Sequence, residues 1–173
     1  MGLLSSLSYF LGGWEEKARD ALKQLVDQTM SMFNVRLPIY CYQILNVDHA
    51  NGAKICFAAV AYGAVIYAVF RRERNRELVA KFESYRRIIR NMSEVSSEVV
   101  DEIDYAMRTR PASFSVLWDY VGSVGYNEDM VTTILISEWL VRKLCSGDVP
   151  GDISKACAVV QETILTASRH IVL

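Results

Sequence analysis

The chain reads as an all-α protein organised around one apolar helix, and three observations predict it. Residues 53–70 (AKICFAAVAYGAVIYAVF) hold a single charge, Lys54, and no proline. From Leu78 to Ala106 apolar residues recur at steps of four and three, the helical period. Downstream, two more apolar-patterned stretches carry capping and stop residues at their ends.

The N-terminus, MGLLSS, fits the M-G-x-x-x-[ST] pattern for N-myristoylation, with Gly2 as acceptor and Ser6 as the small hydroxyl. An unmodified apolar N-terminus is the equal alternative. Leu3, Leu4, Leu7, Tyr9, Phe10 and Leu11 form a leader expected to end at Gly12–Gly13. No basic residue precedes it, unlike a secretory signal. A single acyl chain alone would give only marginal, reversible membrane binding.

Residues 14–33 form an amphipathic helix by pattern, with Ala18, Leu22, Leu25, Thr29, Met32 and Phe33 on one face. Asn34 is the expected stop, and Pro38 interrupts the next segment. Residues 37–47 are apolar but too short to span a bilayer, and 48–52 (DHANG) are a turn by composition.

The apolar stretch 53–70 would span about 27 Å as a helix, close to the roughly 30 Å of a bilayer's hydrocarbon core. Arg71, Arg72, Arg74 and Arg76 come directly after it, where a span would meet the anionic cytosolic surface. The expected anchor residues are Ile55, Phe57, Val60, Ile66, Val69 and Phe70. A helix apolar all round lies either in lipid or deep inside protein, so a buried core helix is the competing reading. Ala59 and Gly63, four apart, are a small-residue pair of the kind that lets helices approach closely. An acylated Gly2 and the positive-inside rule both demand the cytosol, which one pass cannot satisfy. Either Gly2 is unmodified and the N-terminal region faces away, or residues 37–70 form a re-entrant hairpin. Both flanks in the cytosol is the preferred arrangement, and the topology stays open.

Beyond the arginines, Leu78, Phe82, Tyr85, Ile89, Met92, Ser96, Val99, Ile103 and Ala106 form one seam, with no glycine or proline between Ala64 and Arg110. One helix running to Thr109 is the simplest expectation, with Ser93–Glu94 and Ser96–Ser97 as places where it could break. Val79, Ile88, Val95 and Val100 widen the stripe beyond a two-stranded coiled coil, which favours a bundle. Phe82, Tyr85, Ile89 and Met92 are its association residues. Residues 112–121 supply Phe114, Leu117, Trp118 and Val121. Asn127 then caps a helix that ends with Arg142, Lys143 and Gly147, apolar on more than one side and expected at the centre of the bundle. Asp152 caps a last helix bearing Ile153, Ala156, Cys157, Val160, Ile164 and Ala167, and the tail His-Ile-Val-Leu is expected to pack back. The organisation is therefore 1–52 as an N-terminal membrane-associating region, 53–70 as the apolar helix and 71–173 as a helical bundle in the cytosol.

Net charge is −1, so no global field draws the chain to nucleic acid. Eight bases against three acids lie between Arg71 and Arg90, and no interleaved aromatics mark an RNA-binding module. A solvated helix face is the expected role of the distal arginines. Cys41, Cys56, Cys145 and Cys157 are scattered, which points to buried free thiols in a reducing compartment. His49 and His170 stand at no ligand spacing from them, so no metal, cofactor, small-molecule substrate or catalytic set is expected. Asp101, Glu102 and Asp104 read as solvated acids on a helix surface. The plan of leader, apolar segment and compact helical domain is similar in style to small viral membrane-associated proteins, on no motif.

Three function classes fit this organisation. The first is a membrane-anchored helical scaffold that self-associates or recruits a protein partner. The second is a soluble helical interaction protein with 53–70 as its core helix, and the third an oligomeric pore-forming or membrane-remodelling protein.

Overall fold

A computed structural model describes residues 3–41, 48–70, 76–109, 128–145 and 152–173, with side chains described over most of that range. Among the described residues the chain is helical and has no strand. The helices are α1 (Leu3–Lys23), α2 (Leu25–Ser31), α3 (His49–Phe70), α4 (Arg76–Arg90), α5 (Ser97–Thr109), α6 (Glu128–Leu144) and α7 (Ile153–Ser168). A π-turn, Met32–Arg36, and a 3-10 turn, Leu37–Ile39, continue α2.

The inner layer consists of α3, α6 and α7, each packed on the other two. Helices α2, α4 and α5 close around α3, and α1 lies against α4. All twelve residues from Ile55 to Ile66 are buried, more than three turns with no exposed face. Over its most apolar window α3 is 83 % buried, with a mean hydropathy of 1.7. By length and composition it is also able to cross a membrane. Helix α6 matches its expected central place, since Thr133 to Glu138 are buried without interruption. Thr29, Ser137 and Thr163 are buried because each hydroxyl donates to the carbonyl four residues back, at 2.7, 2.7 and 2.8 Å.

Gly63 sets the spacing of the inner layer. A Cβ there would stand 2.9 Å from Ile164 Cδ1 and 3.1 Å from its Cγ2, so any larger residue would make the Ile164 side chain shift. Gly52 plays the same part for Phe33, whose Cζ would be 2.6 Å from an added Cβ.

Four expectations are corrected. Helix α1 runs through Gly12–Gly13 and breaks instead at Gln24. Asn34 does not end the N-terminal helix, which widens into the π-turn and then tightens into the 3-10 turn, and its Oδ1 is hydrogen-bonded to His49 Nε2 at 2.8 Å. Residues 49–52 are the first turn of α3, because Asp48 Oδ2 accepts from the Asn51 amide and holds the start. The helix expected to run to Thr109 is interrupted at residues 91–96, the serine-rich break point, and the seam folds back as α4 and α5. Asp152 does cap α7, its Oδ1 accepting from the Lys155 amide at 3.1 Å. The tail packs back as expected, with Ile171 buried.

Candidate functional site

The expected anchor residues Ile55, Phe57, Val60, Ile66 and Val69 are each at most 6 % exposed, enclosed by the chain's own helices. Phe70 ends α3, and its side chain lies outside the described residues. Ala59 and Gly63 are in the same core, with Gly63 against Ile164 of α7. Tyr85, Ile89 and Met92 are buried on it and Phe82 is half-buried, its ring 5.8 Å from that of Tyr62. Gly2, Arg71, Arg72 and Arg74 lie outside the described residues, and Arg76 is described only as the first residue of α4.

The distal arginines are not merely solvated. Arg86 Nε and Nη2 donate to Asp104 Oδ2, the first at 2.7 Å, while the Tyr62 hydroxyl donates to Oδ1 of the same carboxylate. Asp104 is 9 % exposed, so the expectation that it is a solvated acid is corrected: it joins α3, α4 and α5. Arg87 pairs with Glu15 of α1, and Arg90 with Asp101 of α5 at 2.6 Å. Asp101 and Glu102 are the exposed acids expected, Glu102 pairing with Lys143. Two pairs, Arg86–Asp104 and Arg90–Asp101, thus tie the basic run before Asn91 to the acidic run after it across the α4–α5 fold. Burial, and then the bond to Asp104, push the Tyr62 phenol far above its usual range, so it acts here as a donor.

A second polar group sits in the inner layer. Glu138 of α6 is fully buried, and its Oε1 accepts from Arg142 Nε and pairs with Nη2, both at 2.8 Å. Its Oε2 has no hydrogen-bond partner. Burial raises its pKa, and the Arg142 guanidinium opposes the rise. Cys157 lies within electrostatic reach of Glu138, and the free thiols of Cys41 and Cys145 are close enough to interact. All four cysteines are free and buried, as the sequence suggests. Burial pushes Cys41 and Cys157 up to about 12, which leaves these thiols almost wholly protonated at neutral pH. Among the described residues no three His, Cys, Asp or Glu side chains are placed to hold a metal ion.

A concave feature lies elsewhere among the described residues. Val26, Thr29 and Met30 of α2, Ala53, Lys54 and Phe57 of α3, and Glu94 between α4 and α5 line a cleft of about 180 Å³. Its walls are largely apolar, and the Thr29 hydroxyl among them is spent on the Leu25 carbonyl of its own helix. Sequence reasoning missed this cleft because it depends on the fold-back at residues 91–96 that brings Glu94 to the start of α3. No family model, curated protein or solved structure matches the chain.

Proposed function

We propose that the chain is a helical protein-interaction module that keeps its most apolar helix as its own core. The burial of α3 on every side carries this reading. Moving α3 into lipid would uncover Ile136, Leu140, Val160 and Ile164, each fully buried now, at about 1.5–3 kcal/mol apiece. The amphipathic helices α4 and α5 turn their apolar faces to α3 and, the buried Asp104 apart, carry exposed charges such as Arg87 and Asp101 outward, as covering layers of a self-sufficient core do. Poorly ionised thiols and a structurally engaged Asp104 suit binding better than catalysis.

A second reading has one observation in its favour: α3 is long and apolar enough to span a bilayer. In that case the chain is a membrane-tethered scaffold facing the cytosol, with Arg71 to Arg76 at the surface and Gly2 a candidate for acylation. A pore-forming assembly would be its oligomeric form. Expression of the full chain followed by carbonate extraction and detergent-free gel filtration separates the readings. Release from the pellet as a monodisperse species supports the first, and retention in the carbonate pellet overturns it.

A further inference from the structure

We propose that the cleft between α2 and the start of α3 receives one amphipathic helix of a partner protein, which inserts a single bulky apolar side chain between Lys54 and Glu94. The inference rests on the reading of the chain as an interaction module. At about 180 Å³ the cleft is smaller than the roughly 300–1,000 Å³ of sites that hold drug-sized ligands. It is close to the engineered apolar cavity of about 150 Å³ that holds benzene, so its capacity is one leucine- or phenylalanine-sized group. Val26, Met30 and Ala53 form partly exposed walls, and Phe57 is the buried floor.

The rim supplies the complementarity. Lys54 is exposed, Glu94 is half-exposed, and neither has an ion-pair partner among the described residues. Glu94 accepts only from the adjacent Ser93 hydroxyl at 3.0 Å. In contrast, Arg86, Arg87 and Arg90 of α4 are all paired within the chain. An apolar socket with one cation and one anion on its rim matches a helix that carries an apolar knob with opposite charges one turn to either side. Both long walls of the cleft are helices, so an added helix can pack along them by ordinary side-chain interdigitation.

The test uses the full-length protein and two fluorescein-labelled, alanine-based helical peptides. Each carries one central leucine, flanked at four residues by glutamate on one side and arginine on the other, in the two opposite orders. Fluorescence anisotropy should give saturable binding to one order, and replacing the central leucine by serine should weaken it at least tenfold. Ala53→Trp, which fills the cleft, should abolish binding with the circular dichroism spectrum unchanged. Lys54→Glu, an exposed change that leaves the fold intact, should weaken the preferred peptide about threefold to fivefold, and exchanging the peptide's glutamate for arginine should restore it. No binding of either peptide up to about 1 mM, a 4 kcal/mol threshold, overturns the proposal. Binding indifferent to both substitutions does so too, as does self-association that Ala53→Trp removes. A protein that leaves membranes freely but ignores the peptides sinks the cleft alone, while one retained by membranes sinks the interaction-module reading beneath it.

Discussion

The hydroxyl of Tyr85 donates to the carbonyl of Val172 at 2.7 Å and accepts from the amide of the same residue at 3.0 Å. One side chain thereby clamps the C-terminal tail onto α4, and the Trp14 ring meets it edge-on at 5.1 Å, bringing α1 to the same point. Tyr85→Phe keeps the ring packing and strands both backbone groups. It should cost about 1–2 kcal/mol, because part-buried groups left unmade lose some of their desolvation. Thermal denaturation should then show a midpoint lower by about 2–4 °C per kcal/mol. Deleting residues 172–173 should cost about as much as Tyr85→Phe, and the two changes together should cost little more than either alone. Additive effects would mean that the clamp is not one unit.

Gly63 and Ile164 offer a sharper test of how α3 is housed. Gly63→Ala gains up to about 1 kcal/mol in helix propensity but presses on Ile164 at about 1–3 kcal/mol for overpacking, so the net change should be destabilising. Ile164→Val removes the Cδ1 atom that stands nearest, and in that background Gly63→Ala should be tolerated. Urea unfolding of the four proteins should yield a coupling of about 0.5–3 kcal/mol. Zero coupling would place the two residues apart in the working protein.

Much of this packing was legible in the sequence. The face Ala18, Leu22, Leu25, Thr29, Met32 and Phe33 is buried as its spacing indicates, and so is the wide stripe with Ile88, Val95 and Val100. Both come from periodicity, which needs no partner to be known. Helix ends were less legible: α1 continues through both glycines, which its sequence marks as a stop, and Asp48 recruits 49–52 into α3. The polar core was read wrongly or not at all. Asp104 shares a face with Val100 and Ile103, a spacing that could have flagged it, but its neighbours Asp101 and Glu102 suggested a solvated surface. Glu138 stands between Leu135 and Val141 on a buried face, and its i,i+4 spacing to Arg142 is the signal that could have flagged the pair. The cleft depends on contacts far apart in the chain, which no local signal encodes.

Asp104 should be costly to disturb from one side only. Arg86→Met leaves the carboxylate with Tyr62 alone, and should destabilise by about 2–4 kcal/mol, less than a fully buried pair because Arg86 is partly exposed. Tyr62→Phe should cost about 1 kcal/mol. Replacing Asp104 by leucine together with Arg86→Met should recover part of the loss, since two apolar groups need no partners. Chemical denaturation decides it, and a double variant worse than Arg86→Met alone would contradict the network.

Glu138 predicts an unusual pH response. Its folded pKa is raised, so between its ordinary value of 4.5 and the folded value the native state holds more protons than the unfolded chain. Its contribution is therefore fully present below the ordinary pKa and is lost as pH rises through the folded one. Glu138→Met removes that loss together with the unpartnered Oε2, and Arg142 can turn its partly exposed head to water. The variant should gain stability relative to the parent as pH goes from about 4.5 to 7, measured by urea unfolding at each pH. A difference that shrinks with rising pH would show that the pair with Arg142 dominates and that the carboxylate is ionised at no cost.

Val60 is fully buried, and the two environments open to α3 give Val60→Arg opposite signatures. In the enclosed bundle an arginine there is cut off from solvent, and the uncompensated charge should cost more than about 3–5 kcal/mol, a large part of the total stability of a domain. The variant should lose cooperative unfolding and aggregate in detergent-free buffer. Were the helix in lipid instead, the covering helices would fold without it, and the same substitution would release a soluble, still cooperatively folded protein from the membrane. Val60→Ala provides the control, since trimming a buried valine should cost about 1–3 kcal/mol in a packed core and far less against fluid lipid chains. Soluble Val60→Arg protein with an intact thermal transition would remove α3 from the core, and the interaction-module reading with it.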